Sequence, residues 1–386
     1  MKNKIKEILR ESFVLESRTK ISIPIPNDIT KIKEIFVKNG HKLFVVGGAV
    51  RDALLGKTPK DYDLATDAKP DKVESMMQDA GYKTLATGKA FGVINVFTDD
   101  DEYEIATFRS DIGSGRRPDS VKFTTIDQDV KRRDLTINAL FYDINTGEVV
   151  DLVGGVDDLK KGIVRTVGSA EERFGEDRLR ILRAIRFAGR FGSGLDPAVD
   201  AALKKDNSLE GISSERIRDE FLKGIKTAKS VKHFLNLIDS YNLWDGIFPG
   251  LTINKSDFTN DNDPIVVIAN LLKNNEPNKL SKTLNKLTYS SAENKAITFL
   301  VALQQFDNPN KVYTFKKLHN KSGVDDSIIN KFSILTNLDT NLIKTFLNFE
   351  LSVTGKDAQE ELGIKPGPEM GQAIEKMEIN NFKKLL

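Results

Sequence analysis

Asp61-Tyr62-Asp63 constrains this chain more than any other stretch. Two carboxylates two residues apart, followed by Leu64-Ala65-Thr66, read as the start or middle of a β-strand. On a strand, residues i and i+2 share a face. Asp61 and Asp63 then converge on one spot, and their repulsion calls for a cation. An oxygen-loving divalent ion such as Mg²⁺ suits that spot best. Upstream, Leu43–Val46 reads as a strand, Gly47-Gly48 as a turn, and Ala49–Leu55 as a helix stopped by Gly56. Backbone N–H groups at such a turn, helped by the helix N-terminus, can cradle phosphate. Arg51 lies one turn into that helix, poorly placed for the dipole, and makes sense there if it meets a phosphate or an acidic partner. An Asp-x-Asp pair alone is a weak signal and reads better as an exposed turn with two solvated acids. Joined to a phosphate cradle, it points to nucleotidyl transfer.

Composition narrows the field. The chain has 386 residues, enough for several domains, with 39% hydrophobic and 30% charged residues. The net charge is only +2, so nucleic-acid binding must come from local basic patches. There are no cysteines, which excludes disulfides and thiolate metal sites. His41, His233 and His319 are far apart, against a histidine metal site or a histidine-centred triad. No apolar run approaches the roughly 18 residues needed to span a bilayer. The charged start, Met1–Glu7, lacks the apolar core of a signal peptide, so a cytoplasmic protein with no membrane partner is expected.

The periodicities divide the chain into an α/β part and an all-α part. Residues 1–27 read as an extension, with Ile5, Ile8, Leu9 and Phe13 on one face of a short helix and breaks at Pro24 and Pro26; a packing strap is expected. Strands and helices then alternate: helix Ile29–Asn39, strand Tyr62–Ala65, helix Pro70–Gln78, strands Val93–Thr98 and Tyr103–Arg109, and a short strand Val121–Thr124. That pattern predicts a mixed sheet. Asp111–Asp119, with Arg116 and Arg117, reads as a basic loop. Asp151–Leu159 reads as a structural hinge leading into a strand at Ile163–Val167. Helical periodicity dominates from Ala170 onward.

Three further groups carry chemistry. Glu104, in an alternating strand, would supply a third carboxylate to accept a hydroxyl proton or help hold a second ion, with a surface glutamate as the competing reading. In Arg132–Leu140, Asp134 and Asn138 are four apart and would share a helix face, holding a ribose hydroxyl or the metal loop. In Glu176–Phe187, Arg180, Arg183 and Arg186 recur every three residues beside Leu179, Leu182, Ile185 and Phe187, which points to a polyanion near that face. Asp177 and Arg180 would be neighbours on one helical face. A carboxylate beside a guanidinium matches the amino donor and ring-nitrogen acceptor of cytosine and adenine. Uracil and guanine reverse that pattern and leave both groups unpaired.

Taken together, Gly47–Asp52, Asp61–Asp63, Arg132–Ala139, Asp151–Gly155 and Glu176–Arg186 resemble, in order and spacing, the motifs of class II tRNA nucleotidyltransferases, the CCA-adding enzymes with bacterial poly(A) polymerases as relatives. The resemblance is strong over roughly residues 30–225, and Leu362–Pro368 is similar to the family's tail. It implies a polymerase-β-like head followed by helical neck, body and tail: an extension at 1–27, head at 28–158, neck at 159–225, body at 226–335 and tail at 336–386. It implies Mg²⁺ on Asp61 and Asp63. Gly48 and Arg51 would meet the triphosphate beside Gly47, and Arg133 and Asp134 the nucleotide and ribose, near Asn138. Asp177 and Arg180 would serve as template for the base, and Arg183 and Arg186 would meet phosphates. The 110–120 loop is similar to the family's flexible loop. CTP, ATP and tRNA are the implied substrates, with Lys160, Lys161, Arg190, Arg216 and Lys223 as candidate tRNA contacts. A poly(A) polymerase, a partial CC- or A-adding enzyme, a catalytically silent RNA-binding protein and a small-molecule nucleotidyltransferase remain alternatives; the oligomeric state is open.

Overall fold

The computed structural model describes residues 17–113 and 119–386. The expected helix at residues 5–13 and most of the basic loop lie outside them. The chain forms two compact units, residues 1–207 and 208–386, so the expected neck contributes to both.

The first unit is built on an eight-stranded mixed sheet. Its strands are β1 (Ser17–Lys20), β2 (Leu43–Val46), β3 (Asp63–Thr66), β4 (Lys83–Leu85), β5 (Val93–Phe97), β6 (Glu102–Thr107), β9 (Leu140–Asp143) and β10 (Glu148–Asp151). Strands β7 (Arg109–Ile112) and β8 (Ser120–Phe123) form a separate hairpin. The order is β1-β10-β9-β2-β3-β6-β5-β4. Among the described residues only β3 and β6 pair in parallel in this sheet; the other pairings are antiparallel.

The run Leu43-Phe44-Val45-Val46 is continuously apolar because both sheet faces are covered. Val45 and Leu64 pack with Ile29, Ile32 and Phe36 of α1 (Asn27–Lys38), while Phe44, Val46, Ala65, Phe108 and Phe141 fill the opposite face. Residues 17–27 behave as the expected strap: β1 pairs with β10, Ile23 is buried, and Tyr62 donates its hydroxyl proton to the Pro24 carbonyl.

Helices α2 (Gly48–Leu54) and α3 (Pro70–Asp79) follow β2 and β3, and α4 (Ile126–Asp129) follows the hairpin. After β10 come α5 (Gly155–Lys161), α6 (Ala170–Glu176), α7 (Leu179–Phe191) and α8 (Pro197–Lys205). Every regular element of residues 208–386 is helical, with aromatic clusters such as Phe221, Phe234, Trp244 and Phe248 at its core.

The structure corrects several expected elements. Ile163–Val167 forms no strand; Val164 makes only an isolated bridge to Leu195, and Thr166 one to Leu135. The strand read at Tyr103–Arg109 ends at Thr107, and Arg109 starts the hairpin. Asp134 and Asn138 do not lie on an α-helix, because only a 3₁₀ turn forms at Thr136–Asn138. They still meet, the Asn138 amide reaching Asp134 Oδ1 at 3.4 Å.

The Asp151–Leu159 segment has the structural role expected of it. Buried Asp151 accepts hydrogen bonds from the N–H groups of Val153, Gly155 and Val156 at 2.9–3.0 Å, which satisfies the open donors at the start of α5. Gly155 is required because a Cβ there would run into the Thr136 carbonyl. Thr136 in turn donates to Asp158 at 2.7 Å, so α5 supports the turn that carries Asn138. Gly155→Ala is therefore expected to destabilise the fold by about 1–3 kcal/mol, read as a lowered thermal midpoint; an unchanged midpoint would contradict this packing.

Candidate active site

Three chain segments meet at one end of the sheet. Strand β2 ends at Val46, which lies opposite Asp63 on β3 and Phe141 on β9. The chain then turns at Gly47, whose φ of 66° and ψ of −117° suit glycine alone. The Gly47 N–H bonds the Leu140 carbonyl at 3.0 Å. A Cβ on Gly47 would touch the Asn138 carbonyl and the Arg133 guanidinium. The Gly47-Gly48 turn, Asp63 and Asn138 are thus brought together by strand pairing.

The acids fall as the two-residue period predicts. Asp63 opens β3, and Asp61 lies two residues before it in extended chain. Leu64 pairs in parallel with Ile105, which sets Glu104 beside Asp63 on the same sheet face. All three side chains are exposed. Burial of its surroundings raises the Asp63 carboxyl above its ordinary value; Arg133 opposes this, and the Asp61 charge adds to it. Glu104 is raised too, by burial first and then by the charge of Asp63. Among the described residues, no three histidine or acidic side chains converge as a metal cluster. A pair of carboxylates completed by phosphate oxygens and water remains a donor set that suits Mg²⁺.

The charge of Arg133 is felt at Asp63 and that of Arg109 at Glu104, and further arginines pair with other acids of the same unit. Arg133 lies over the Phe141 ring at 4.5 Å and bonds Asp129 Oδ2 through two nitrogens at 3.2 Å. Burial presses Asp134 upward, but Arg183 at 2.6 Å and the Leu135 N–H at 2.8 Å hold it below the usual carboxylate value. Arg51 is turned inward: it is buried, donates to Asn138 Oδ1 at 2.5 Å and to Asp52 at 2.9 Å, and lies 4.9 Å from the Phe187 ring centre. The acidic partner expected for Arg51 is therefore its neighbour Asp52. Arg186, also buried, stacks on Phe187 at 4.3 Å. Arg190, expected as a tRNA contact, instead pairs with Asp52 at 2.8 Å. Lys160, Lys161 and Lys223 are exposed, and Arg216 is half-buried.

The helix expected to carry both Asp177 and Arg180 is broken between them. Asp177 and Arg180 do not share one helix. Helix α6 ends at Glu176, Asp177 is extended (φ −149°, ψ 104°), and α7 begins at Leu179. Asp177 accepts from the Leu179 N–H at 3.1 Å, satisfying a donor at the start of α7. Arg180 points to Glu176 at 2.5 Å and to the carbonyls of Arg173 and Arg132 at 3.2 Å. The apolar period ran through this break because α6 and α7 both bury one face.

Comparison with known proteins fits this arrangement. Residues 43–165 match the Poly A polymerase head domain, and residues 195–254 the probable RNA and SrmB-binding site of polymerase A. The CCA-adding enzyme of Ligilactobacillus salivarius is 32% identical, with 94% of this chain and 98% of that enzyme covered. The chain belongs to the CCA-adding enzyme family. The CCA-adding enzyme of Bacillus subtilis is 42% identical across 54% of this chain, a match that spans about half (52%) of that relative's length. The Bacillus stearothermophilus CCA-adding enzyme in complex with CTP has 25% identity and a TM-score of 0.69, covering 93% of this chain and 96% of that one. The mixed-sheet head and helical remainder are thus the fold of CCA-adding enzymes.

Two residues of this family member escaped the sequence reading. Asp129, 1% exposed, accepts from the Arg109 N–H, Arg132 and Arg133. Phe187, read only as an apolar neighbour, has the guanidiniums of both Arg51 and Arg186 over its ring. Its place two positions beyond Ile185 was the available signal.

The raised Asp63 carboxyl has a measurable consequence. The folded chain holds that proton more tightly than the unfolded one, so Asp63 favours folding below an unfolded pKa of about 3.9. That contribution is lost as pH rises through the raised folded value. At pH 7, ionised Asp63 therefore opposes folding. Metal-free Asp63→Asn is expected to melt above the parent at pH 7, with the gap closing as pH falls toward about 4. A lower midpoint for D63N at pH 7 would contradict this.

Proposed function

We propose that this protein adds C, C and A to tRNA 3′ ends from CTP and ATP, without a nucleic-acid template, and releases pyrophosphate. The observation that carries the reading is the placement of Asp63 and Glu104 on one sheet face beside Arg133, at the Gly47-Gly48 turn. The full-length likeness to the Ligilactobacillus salivarius CCA-adding enzyme supports CCA addition in particular. We place the protein in the cytoplasm, with its substrates; among the described residues no helix is long and apolar enough to cross a membrane. We assign head, neck, body and tail to 28–158, 159–225, 226–335 and 336–386, with β1 added to the head.

The 3′-hydroxyl of the RNA attacks the α-phosphate of the bound nucleotide in line, and pyrophosphate leaves. Asp61 and Asp63 are the residues that would hold Mg²⁺. Bound there, the ion supplies Lewis-acid polarisation of hydroxyl and phosphate oxygens. Glu104 accepts the hydroxyl proton, a role its raised carboxyl suits. The Gly47-Gly48 turn lets the triphosphate approach the backbone. Arg133 and Arg183 supply positive charge at the site, and Arg51 and Arg186 supply it from beneath. Asp134 and Asn138 orient the ribose. Asp177 accepts from the amino group of cytosine or adenine, and Arg180 exchanges its Glu176 contact for the ring nitrogen. The helical remainder binds the tRNA through its backbone, with Lys160, Lys161 and Lys223 as surface contacts.

The Poly A polymerase head likeness gives the rival its one support. Primer extension separates the two. The expected result on tRNA ending before CCA is two additions with CTP, then one A and a stop when ATP is present. Asp61→Ala is expected to lower transfer by at least about 10³-fold, of the order of removing a main charge-stabilising group, while tRNA binding persists. Long A tails on any RNA, or transfer by D61A at the parental rate, would overturn the reading.

A further inference from the structure

We propose that Asp129 is a positioning residue of the nucleotide site, fixing Arg133 beside Asp63 and tying the β7–β8 hairpin to the same point. The inference rests on the nucleotidyl-transfer reading and deepens it.

Asp129 ends the short helix α4, where an acid would ordinarily be solvated, yet it is 1% exposed. Its hydrogen-bond partners are Arg109 of the hairpin and Arg132 and Arg133 of the segment beside the site. Oδ1 accepts the main-chain N–H of Arg109 at 3.1 Å and the Arg132 Nε–H at 2.9 Å. Oδ2 accepts Nε and Nη2 of Arg133 at 3.2 Å each. Arg109 opens β7, and the Thr124 N–H bonds the Phe108 carbonyl at 2.9 Å, so the base of the hairpin is closed where its first residue is tied to this carboxylate.

Arg133 lies between two opposed demands. Asp129 grips one edge of its guanidinium, while its charge is felt by Asp63. A guanidinium released from Asp129 would be drawn to the other acids near it, Asp63 and Asp134. Arg133 would then occupy the carboxylate that the site needs open. Arg132 is held by the same carboxylate, and its carbonyl accepts from Arg180 at 3.2 Å. One buried acid thus holds Arg109 of the hairpin with Arg132 and Arg133, which lie in and just after a 3₁₀ turn at Val130–Arg132, and reaches α7 only through the Arg132 carbonyl. A buried acid with only a packing role would have no need of partners that all lead to one site.

The test uses the full chain, tRNA lacking its 3′ nucleotides, CTP and ATP. Asp129→Asn keeps the shape and removes the charge; Asp129→Glu keeps the charge and shifts it by one methylene. With Asp129 as a positioning residue, folded D129N raises KM for CTP and ATP by about tenfold or more, the scale of a lost charge-assisted hydrogen bond. Its kcat stays within about threefold, and D129E recovers part of KM. Folded D129N with parental KM, or with kcat lowered alone, would overturn the inference. If D129N fails to fold, D129E decides: a raised KM at the parental melting temperature supports it, and parental KM overturns it. If the parent protein itself transfers no nucleotide, the functional reading fails instead.

Discussion

The pairing of buried and half-buried guanidiniums with buried and half-buried carboxylates is the constraint on which the rest of the first unit depends. Arg51, Arg109, Arg132, Arg133, Arg183, Arg186 and Arg190 gather around one end of its sheet. A charge removed from water costs several kcal/mol unless it is paired. Here Asp52 meets Arg51 and Arg190, Asp129 meets Arg132 and Arg133, and Asp134 meets Arg183. Such pairs contribute little net stability compared with apolar residues of the same volume. Their effect is to fix direction: Asp129 holds Arg132 and Arg133, while Asp52 and Asp134 each hold an arginine of α7.

The same pairs explain why the sheet and α7 act together. Asp52 follows the Gly47-Gly48 turn, and Asp134 precedes β9, yet both are tied to α7 through Arg190 and Arg183. The Phe187 ring meets both Arg51 and Arg186 and adds cation–π attraction, worth about 0.5–2 kcal/mol per contact. The apolar core sets where the backbone runs; the ion pairs set where the cations point. The exposed acids Asp61, Asp63 and Glu104 are the exception. Burial first, and then nearby acids, raises the Asp63 and Glu104 carboxyls.

Much of this was legible where one local rule decided the outcome. The strand at Leu43–Val46, the turn at Gly47 and the facing of Asp63 with Glu104 follow from period two and from glycine's backbone freedom. Strands β9 and β10 were hidden because they are four residues each and follow a motif that invited a helical reading. The break at Asp177 was hidden because the apolar period ran across it. Asp129 was illegible for a different reason: its burial is made by residues 109, 132 and 133 folding around it, which no local pattern records.

The central claim is that the protein itself chooses the base. Equilibrium binding of each of the four nucleoside triphosphates to the full chain, with Mg²⁺ and without RNA, tests it most directly. Selection by Asp177 and Arg180 predicts saturable binding of CTP and ATP, with UTP and GTP weaker by at least about tenfold, as unpaired site groups require. Equal binding of all four would contradict it, and would move base choice to the RNA end.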